Sequence, residues 1–256
     1  MKRELDDIRD GLIITKRNVM RYVRLPQLII ISSIQPIMFL TLFNFVFGGA
    51  LGASAGEEYI NFLLPGIMVQ TILFGALQTG VGLSRDLNAG IIDRFRSLPM
   101  SRSAVLTGRT TADLVRNTST ALILLITGLV YGFRFQNGTL DAFLMIALII
   151  AFGYAFSWVA AFVGLAVKDE ETAQLAGFLF IFPLTFASAT FVPTQTMPGW
   201  LQTFANNQPV TFAVTAARHF ALGTPSDGAE WKLLAWIVGL LIIFVPLSIF
   251  IYKKRA

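Results

Sequence analysis

The chain has 256 residues, of which 55% are hydrophobic and only 14% charged. Soluble domains run roughly 45–50% apolar and about 25% charged, so the balance excludes an ordinary soluble domain and fits a polytopic membrane protein. There is no cysteine and a single histidine, His219, which excludes disulfides, thiolate metal sites and any centre needing two imidazoles.

The first element is amphipathic. Leu5, Ile8, Leu12, Val19 and Val23 recur at helical intervals, with Arg9, Lys16, Arg17 and Arg21 on the other faces. Residues 1–25 therefore read as a helix lying in the membrane interface, the alternative being a cap packed on the rest of the protein. Charge, and the lack of a compact apolar core before a small-residue site, speak against a cleavable signal peptide. Pro26 then marks the turn into the first span.

A bilayer core takes about 20 apolar residues per helix. Six stretches qualify: Gln27–Phe47, Phe62–Leu83, Asn117–Phe133, Leu140–Val167, Ala173–Val192 and Trp231–Tyr252. The connections differ. Gly48–Ile60 is a small loop carrying Glu57 and Glu58, and Arg134–Thr139 is a tight turn with Asn137-Gly138 as its signal. Pro193–Glu230 is long, apolar and Pro-punctuated, which predicts one or two short helices dipping into the outer leaflet. No break in composition divides the chain, so residues 1–256 read as one all-α transmembrane domain.

Seventeen of the twenty Lys and Arg residues precede the first span, lie in Arg85–Arg116, sit at Lys168 or follow the last span. Only Arg134, Arg218 and Lys232 fall on the other side. The positive-inside rule puts both termini in the cytoplasm of a multi-pass plasma-membrane protein. Topology thus accounts for the pI near 9.7, and no nucleic-acid partner is needed.

Polar residues dot the spans. Gln35 and Asn44 in the first, Thr71 and Gln78 in the second, and Thr185 and Ser188 in the fifth are candidates for a translocation surface. Ordinary interhelical hydrogen bonding is the competing reading. Thr71 and Gln78, seven apart, share a helix face. No charge lies in the middle of a span, which disfavours an ion-coupled carrier. Pro36, Pro183 and Pro246 are expected to kink or break their helices. Gly75, Ala76, Gly80 and Gly82 permit close helix contact.

Catalytic chemistry is missing. There is no P-loop, so the chain does not bind ATP through one. Gly52–Gly56 matches G-x-S-x-G, but Ser54 lacks the flanking strand and helix and the His and Asp partners that such a nucleophile needs. Glu170-Glu171 resembles the start of an E-E-x-x-x-R protease motif, yet Leu175 stands at the Arg position. With Lys168 and Asp169 these carboxylates read as a solvated hairpin. Arg218 and His219 read as a structural or interfacial pair. The expectation is a non-enzyme with no catalytic residue, metal site or cofactor of its own.

The segment between the second and third spans carries Arg85, Arg94, Arg96, Arg102, Arg109 and Arg116. Within it Ile91, Ile92, Phe95 and Leu98 form one apolar face, bracketed by Gly90 and Pro99. Such a stub either fills a groove on a partner or anchors the loop in the interface.

The run Gly90-Ile91-Ile92-Asp93-Arg94-Phe95-Arg96-Ser97-Leu98-Pro99-Met100-Ser101-Arg102, with Gly108-Arg109 and Asp113-Leu114, resembles the ABC-2 type permease family, most of all its daunorubicin-resistance branch. So do Phe191-Val192-Pro193, Met197-Pro198-Gly199-Trp200-Leu201, Asn207-Gln208-Pro209-Val210-Thr211 and Ala217-Arg218, although the family usually has Asn directly before this proline. The resemblance implies six spans, an N-terminal interfacial helix, a cytoplasmic coupling helix and re-entrant outer helices before the last span. It implies two copies of a separate ATPase subunit, holding ATP and Mg, and a second permease, identical or related. On that pattern Gly90–Pro99 is the coupling helix, with Ile92, Phe95 and Leu98 as its buried knob and Asp93, Arg94 and Arg96 as its polar rim. Phe191, Pro193, Met197, Trp200 and Pro209 belong to the outer gate. The implied function is outward export of an amphipathic drug-like or lipid-like substrate from a membrane whose lipids surround it. Export of a polysaccharide or glycolipid, or ATP-independent carriage, are the alternatives.

Overall fold

An apolar run held away from water must satisfy its backbone polar groups within itself, and a helix does so segment by segment. The computed structural model describes residues 2–49, 59–90 and 102–255, and among these no strand occurs. In chain order the helices are α1 (Lys2–Arg24), α2 (Gln27–Leu42), α3 (Tyr59–Asn88), α4 (Arg102–Val130), α5 (Thr139–Ala166), α6 (Glu170–Phe186), α7 (Gly199–Asn206), α8 (Pro209–Leu222) and α9 (Ala229–Arg255). A π-helical turn, Phe43–Phe47, extends α2, and a short 3-10 turn, Thr194–Thr196, precedes α7.

Five of the described helices are long and apolar enough to cross a membrane: α2 with its π turn, α3, the Ala104–Val130 part of α4, α5 and α9. The fifth expected span is shorter than its apolar run. Helix α6 has 17 residues and ends at Phe186 rather than Val192, a rise of about 25 Å. Ser188, Thr190 and Phe191 lie in the irregular turn beyond it. The third expected span is longer than its apolar run, because α4 begins at Arg102 instead of Asn117. The charges that bounded it in the sequence sit on the body of the helix. Pro36, Pro183 and Pro246 lie inside α2, α6 and α9 without ending them at the proline.

Helix α3 is the axis of the bundle. Its most apolar window is 83% buried inside the protein, against 11% for α2 and for α9, which leave wide apolar faces open. The α3–α5 contact depends on missing side chains. A Cβ at Gly80 would lie 2.2 Å from the Ala160 carbonyl oxygen, and one at Gly164 would lie 2.1 Å from that of Gly80. Small residues bring helix backbones together where lipid offers no hydrophobic drive.

Contacts between helix ends define the two ends of the bundle. At one end Tyr22 of α1 bonds Asp113 near the start of α4, and Arg255 donates to the carbonyls of Ala166 and Val167 at the end of α5. The same end holds the start of α6, where Asp169 accepts from the Thr172 backbone N–H and Glu170 pairs with Arg85 at 2.6 Å. At the other end the Thr41 and Tyr131 hydroxyls stand 2.9 Å apart, and the Arg134 N–H reaches Asn61 Oδ1. Helix α1 buries Ile14 and leaves Leu12 and Val23 mostly exposed. Its Thr15 hydroxyl reaches the Gly108 carbonyl of α4 at 3.3 Å.

Candidate functional site

A polar residue in an apolar helix either finds a partner or faces a cavity, since burying it alone is costly. At the end of the bundle that carries Tyr22, the helices enclose a cavity of about 500 Å³. Helix α2 contributes Ser32, Gln35 and Phe39 to it, and α3 contributes Gln70, Thr71, Phe74 and Gln78. Arg109, Arg116, Asn117 and Thr120 come from α4, and Gln174 and Phe178 from α6. Three of the six candidate pathway residues, Gln35, Thr71 and Gln78, therefore line one space. Asn44 does not, because it sits in the π turn at the far end of α2. Thr185 and Ser188 are fully buried and satisfied locally: Thr185 donates to the Ile181 carbonyl, and Ser188 to that of Thr185.

The wall contributed by α4 is ionic. Arg109, Asp113 and Arg116 fall at i, i+4 and i+7 and so share a helix face. Asp113 is 1% exposed and accepts from the Tyr22 hydroxyl at 2.7 Å. Arg109 Nε stands 3.6 Å from one of its oxygens and Arg116 Nη1 3.8 Å from the other. Arg109 also pairs with Asp86 at the end of α3. Burial above all, then the Asp113 charge, pushes the Tyr22 phenol up to about 12, so it stays a donor. A hydrocarbon core takes about 20 residues of helix; counted back from Val130, that reaches Thr111. Asp113 and Arg116 thus fall inside the apolar thickness but short of its middle. Ionisable groups at such depth face the bundle interior and pair with one another.

Glycines on α3 admit this wall. A Cβ at Gly82 would overlap the Arg109 guanidinium, and one at Gly75 would lie 2.4 Å from Asn117 Oδ1. Arg116 donates through Nη2 to the Gly75 carbonyl at 2.9 Å and to Asn117 Oδ1 at 3.2 Å. That leaves Asn117 Nδ2 buried without a partner. Flipping the amide would set its NH2 against a guanidinium, so the orientation is fixed by charge. An unpaired buried donor of this kind costs about 1–3 kcal/mol.

At the opposite end, the segment between α6 and α9 is tied down by two buried residues. Gln208 accepts from the Val210 N–H at 2.8 Å, capping α8, and donates to the Leu184 carbonyl at 3.0 Å. Gln208 is thus a working N-cap. Arg218 donates to the carbonyls of Phe62 and Thr190 and lies 3.5 Å over the Phe62 ring. His219 turns away from it, to the Thr224 carbonyl at 2.6 Å, so the two residues are separately satisfied rather than paired. Of the candidate gate residues, Phe191 is buried and stacks on Phe43 at 4.8 Å, and Pro209 opens α8. Pro193 precedes the 3-10 turn, Met197 is half-buried, and Trp200 is 76% exposed.

Phenylalanines connect the two ends. Phe178, Phe182 and Phe186 stack along α6, and the row passes to Phe191 and Phe43. Its inner end, Phe178, is in the cavity lining.

The coupling residues Ile92, Asp93, Arg94, Phe95, Arg96, Leu98 and Pro99 lie outside the described residues. Gly90 is described: it ends the turn after α3 at φ +65°, a left-handed conformation suited to glycine. Among the described residues no cluster of His, Asp or Glu could hold a metal ion.

Sequence reasoning missed Tyr22, Arg109, Arg116 and Asn117 as wall residues, although the i, i+4, i+7 spacing of Arg109, Asp113 and Arg116 was available as a signal.

Comparison with known proteins places these features in a family. The family model described as ABC-2 type transporter matches residues 10–222. A daunorubicin resistance ABC transporter permease protein of Streptomyces coeruleorubidus is 33% identical over 239 residues, 93% of this chain and 84% of that protein. A doxorubicin resistance ABC transporter permease protein of Mycobacterium tuberculosis (strain ATCC 25618 / H37Rv) is 26% identical over 212 residues, 80% of this chain and 73% of that protein. With most of its length matched by the family model and a relative aligned across nearly all of it, the chain belongs to the ABC-2 type transporter family.

Proposed function

We propose that this chain is the membrane-spanning permease subunit of an ATP-driven exporter. It moves an amphipathic, drug-like substrate outward across the plasma membrane, with both termini cytoplasmic and α6 completing six crossings. The cavity carries the reading: a glutamine-rich space at the end of the bundle that bears the basic segments suits the loading of such a molecule from the cytoplasm or inner leaflet. The daunorubicin and doxorubicin named for the relatives are the support for a drug-like cargo.

Hydrolysis is done by a separate ABC ATPase, two copies of which bind a pair of permeases. The connection between α3 and α4, Gly90–Pro99, is the coupling helix. It presents Ile92, Phe95 and Leu98 to a cleft on the ATPase, rimmed by Asp93, Arg94 and Arg96. Closure of the ATPase pair on ATP pushes this helix. The Arg109 to Asp86 pair ties α4 to the end of α3 just before that segment, so the push reaches both cavity walls. Substrate leaves along the phenylalanine row, and the α7–α8 segment, dipping into the outer leaflet and held by Gln208 and Arg218, is the outer gate.

The test is the Arg94→Ala, Phe95→Ala double variant in membranes that contain the ATPase subunit. Loss of ATPase association and of transport, with the permease still inserted, is expected. Full retention of both would overturn the coupling assignment.

A further inference from the structure

Helix α1 has two faces, and the bundle uses only one. Ile14 is buried against α4, where a Cβ at Gly108 would lie 2.7 Å from that of Ile14. The Thr15 and Tyr22 hydroxyls bond Gly108 and Asp113 from the same side. Ile13, Lys16, Arg17, Met20 and Arg24 recur at i, i+3, i+4, i+7 and i+11, the spacing of another face. All five are exposed. With Leu25 they line a shallow hollow on the outside of α1 that contains no Asp or Glu. Among the described residues, no carboxylate pairs with Lys16 or Arg24. Asp10, the one acid in residues 9–24, is half-buried, and it stands about 9 Å of helix rise from Lys16 and about 21 Å from Arg24. The face keeps a net positive charge.

The depth of the hollow decides what can reach it. The hydrocarbon boundary on α4 falls near Thr111, about 20 residues of helix before Val130. Thr15 and Tyr22 touch α4 at Gly108 and Asp113, on either side of that position. Helix α1 therefore crosses the headgroup layer obliquely between these contacts. It leads through Leu25 into α2, whose Ile30 and Ile34 are exposed. A soluble partner would have to displace headgroups to reach Met20 and Leu25. A phospholipid meets both halves of the surface at once, with acyl chain against Ile13, Met20 and Leu25 and phosphate against the cations, whose long stems reach to it. Net charge separates one lipid from another. A phosphocholine head brings its own ammonium group to a cationic surface, while an anionic glycerol head brings none.

We infer that the outer face of α1 is a binding site for anionic phospholipid. Lys16 and Arg24 are its headgroup-binding cations, and Ile13, Met20 and Leu25 seat the acyl chains.

The chain has no cysteine, so Val23→Cys, at an exposed position beside the hollow, gives a single site for a bimane label. The labelled full-length permease is placed in nanodiscs of phosphatidylcholine with a graded fraction of phosphatidylglycerol, one or the other brominated. Quenching of the label yields the relative association constant of the two lipids at this face. Phosphatidylglycerol is expected to bind about tenfold more tightly than phosphatidylcholine. Lys16→Gln combined with Arg24→Gln should bring the ratio to about one, while quenching by brominated phosphatidylcholine persists. Both side chains are exposed, so the double variant leaves the packing of α1 on α4 untouched. Equal affinities with Lys16 and Arg24 in place would overturn the proposal, and so would a preference that survives the double variant. Absence of quenching by either lipid would show the face turned to water or to a protein partner, and would overturn it as well.

Discussion

Replacing Asp113 with Asn keeps the shape of a fully buried side chain and removes one charge. The carboxylate stands 3.6 Å from Arg109 Nε and 3.8 Å from Arg116 Nη1. At those distances, with an effective dielectric near 20, each attraction is worth roughly 4–5 kcal/mol before desolvation is subtracted. Breaking a buried pair by removing one partner costs about 3–5 kcal/mol. Arg109 keeps Asp86, and Tyr22 can still donate to the new amide oxygen, so the low end applies. Arg116 alone is left with only a carbonyl and an amide for partners. A loss of about 3 kcal/mol corresponds to a Tm drop of about 6–12 °C at this chain length. The assay is thermal unfolding of the purified permease in a mild detergent, with Asp113→Asn, Arg116→Gln and the double variant measured together. The double variant should recover part of the loss, since it removes the stranded charge. A Tm within about 2 °C of the unmodified protein would mean that the carboxylate is not the counter-charge of this wall.

Tyr22 gives a pH signature. Its pKa is raised in the folded protein from 10.0 to about 12, so its contribution is complete below pH 10 and is lost as pH rises through that window. Tyr22→Phe should therefore be less stable at neutral pH yet show a shallower decline between pH 10 and 12, measured by chemical denaturation. Gln208→Ala removes the α8 cap and strands the Leu184 carbonyl, costing about 2–3 kcal/mol in the same thermal assay; Gln208→Asn should recover part of it if the cap bond dominates. Gly80→Ala puts a methyl 2.2 Å from a backbone oxygen that cannot turn aside, so α3 and α5 must separate, at a cost of about 1–3 kcal/mol or more. Reduced yield of folded protein on size-exclusion chromatography is the readout, and an unchanged profile would refute the close α3–α5 approach.

How much of this was legible beforehand depends on the kind of signal. Apolar runs of membrane length located α2, α3, α5 and α9, because backbone satisfaction in lipid leaves a helix as the only local answer. The starts of α4 and end of α6 were not legible from hydropathy. Arg109, Asp113 and Arg116 read as loop charges, since a single chain position carries no sign that Asp86 and Tyr22 come from elsewhere to neutralise them. Likewise Ser188 and Thr190 read as span residues, although the helix stops at Phe186 and hands the chain to a turn held by Gln208 from 22 residues beyond it. Gln35, Thr71 and Gln78 line the cavity, but nothing local in the sequence separates them from Asn44, Thr185 and Ser188, which do not.

By itself, then, the sequence determined composition, helix content and the family, which are properties of runs and motifs read along one chain. Tertiary structure decided which polar residues meet. The cavity exists because Gly75 and Gly82 leave room on α3 for the arginine wall of α4, and because α2 and α6 stand apart on either side of it. Those are consequences of side-chain volume and paired charge across helices far apart in the chain, and no one-dimensional pattern records them.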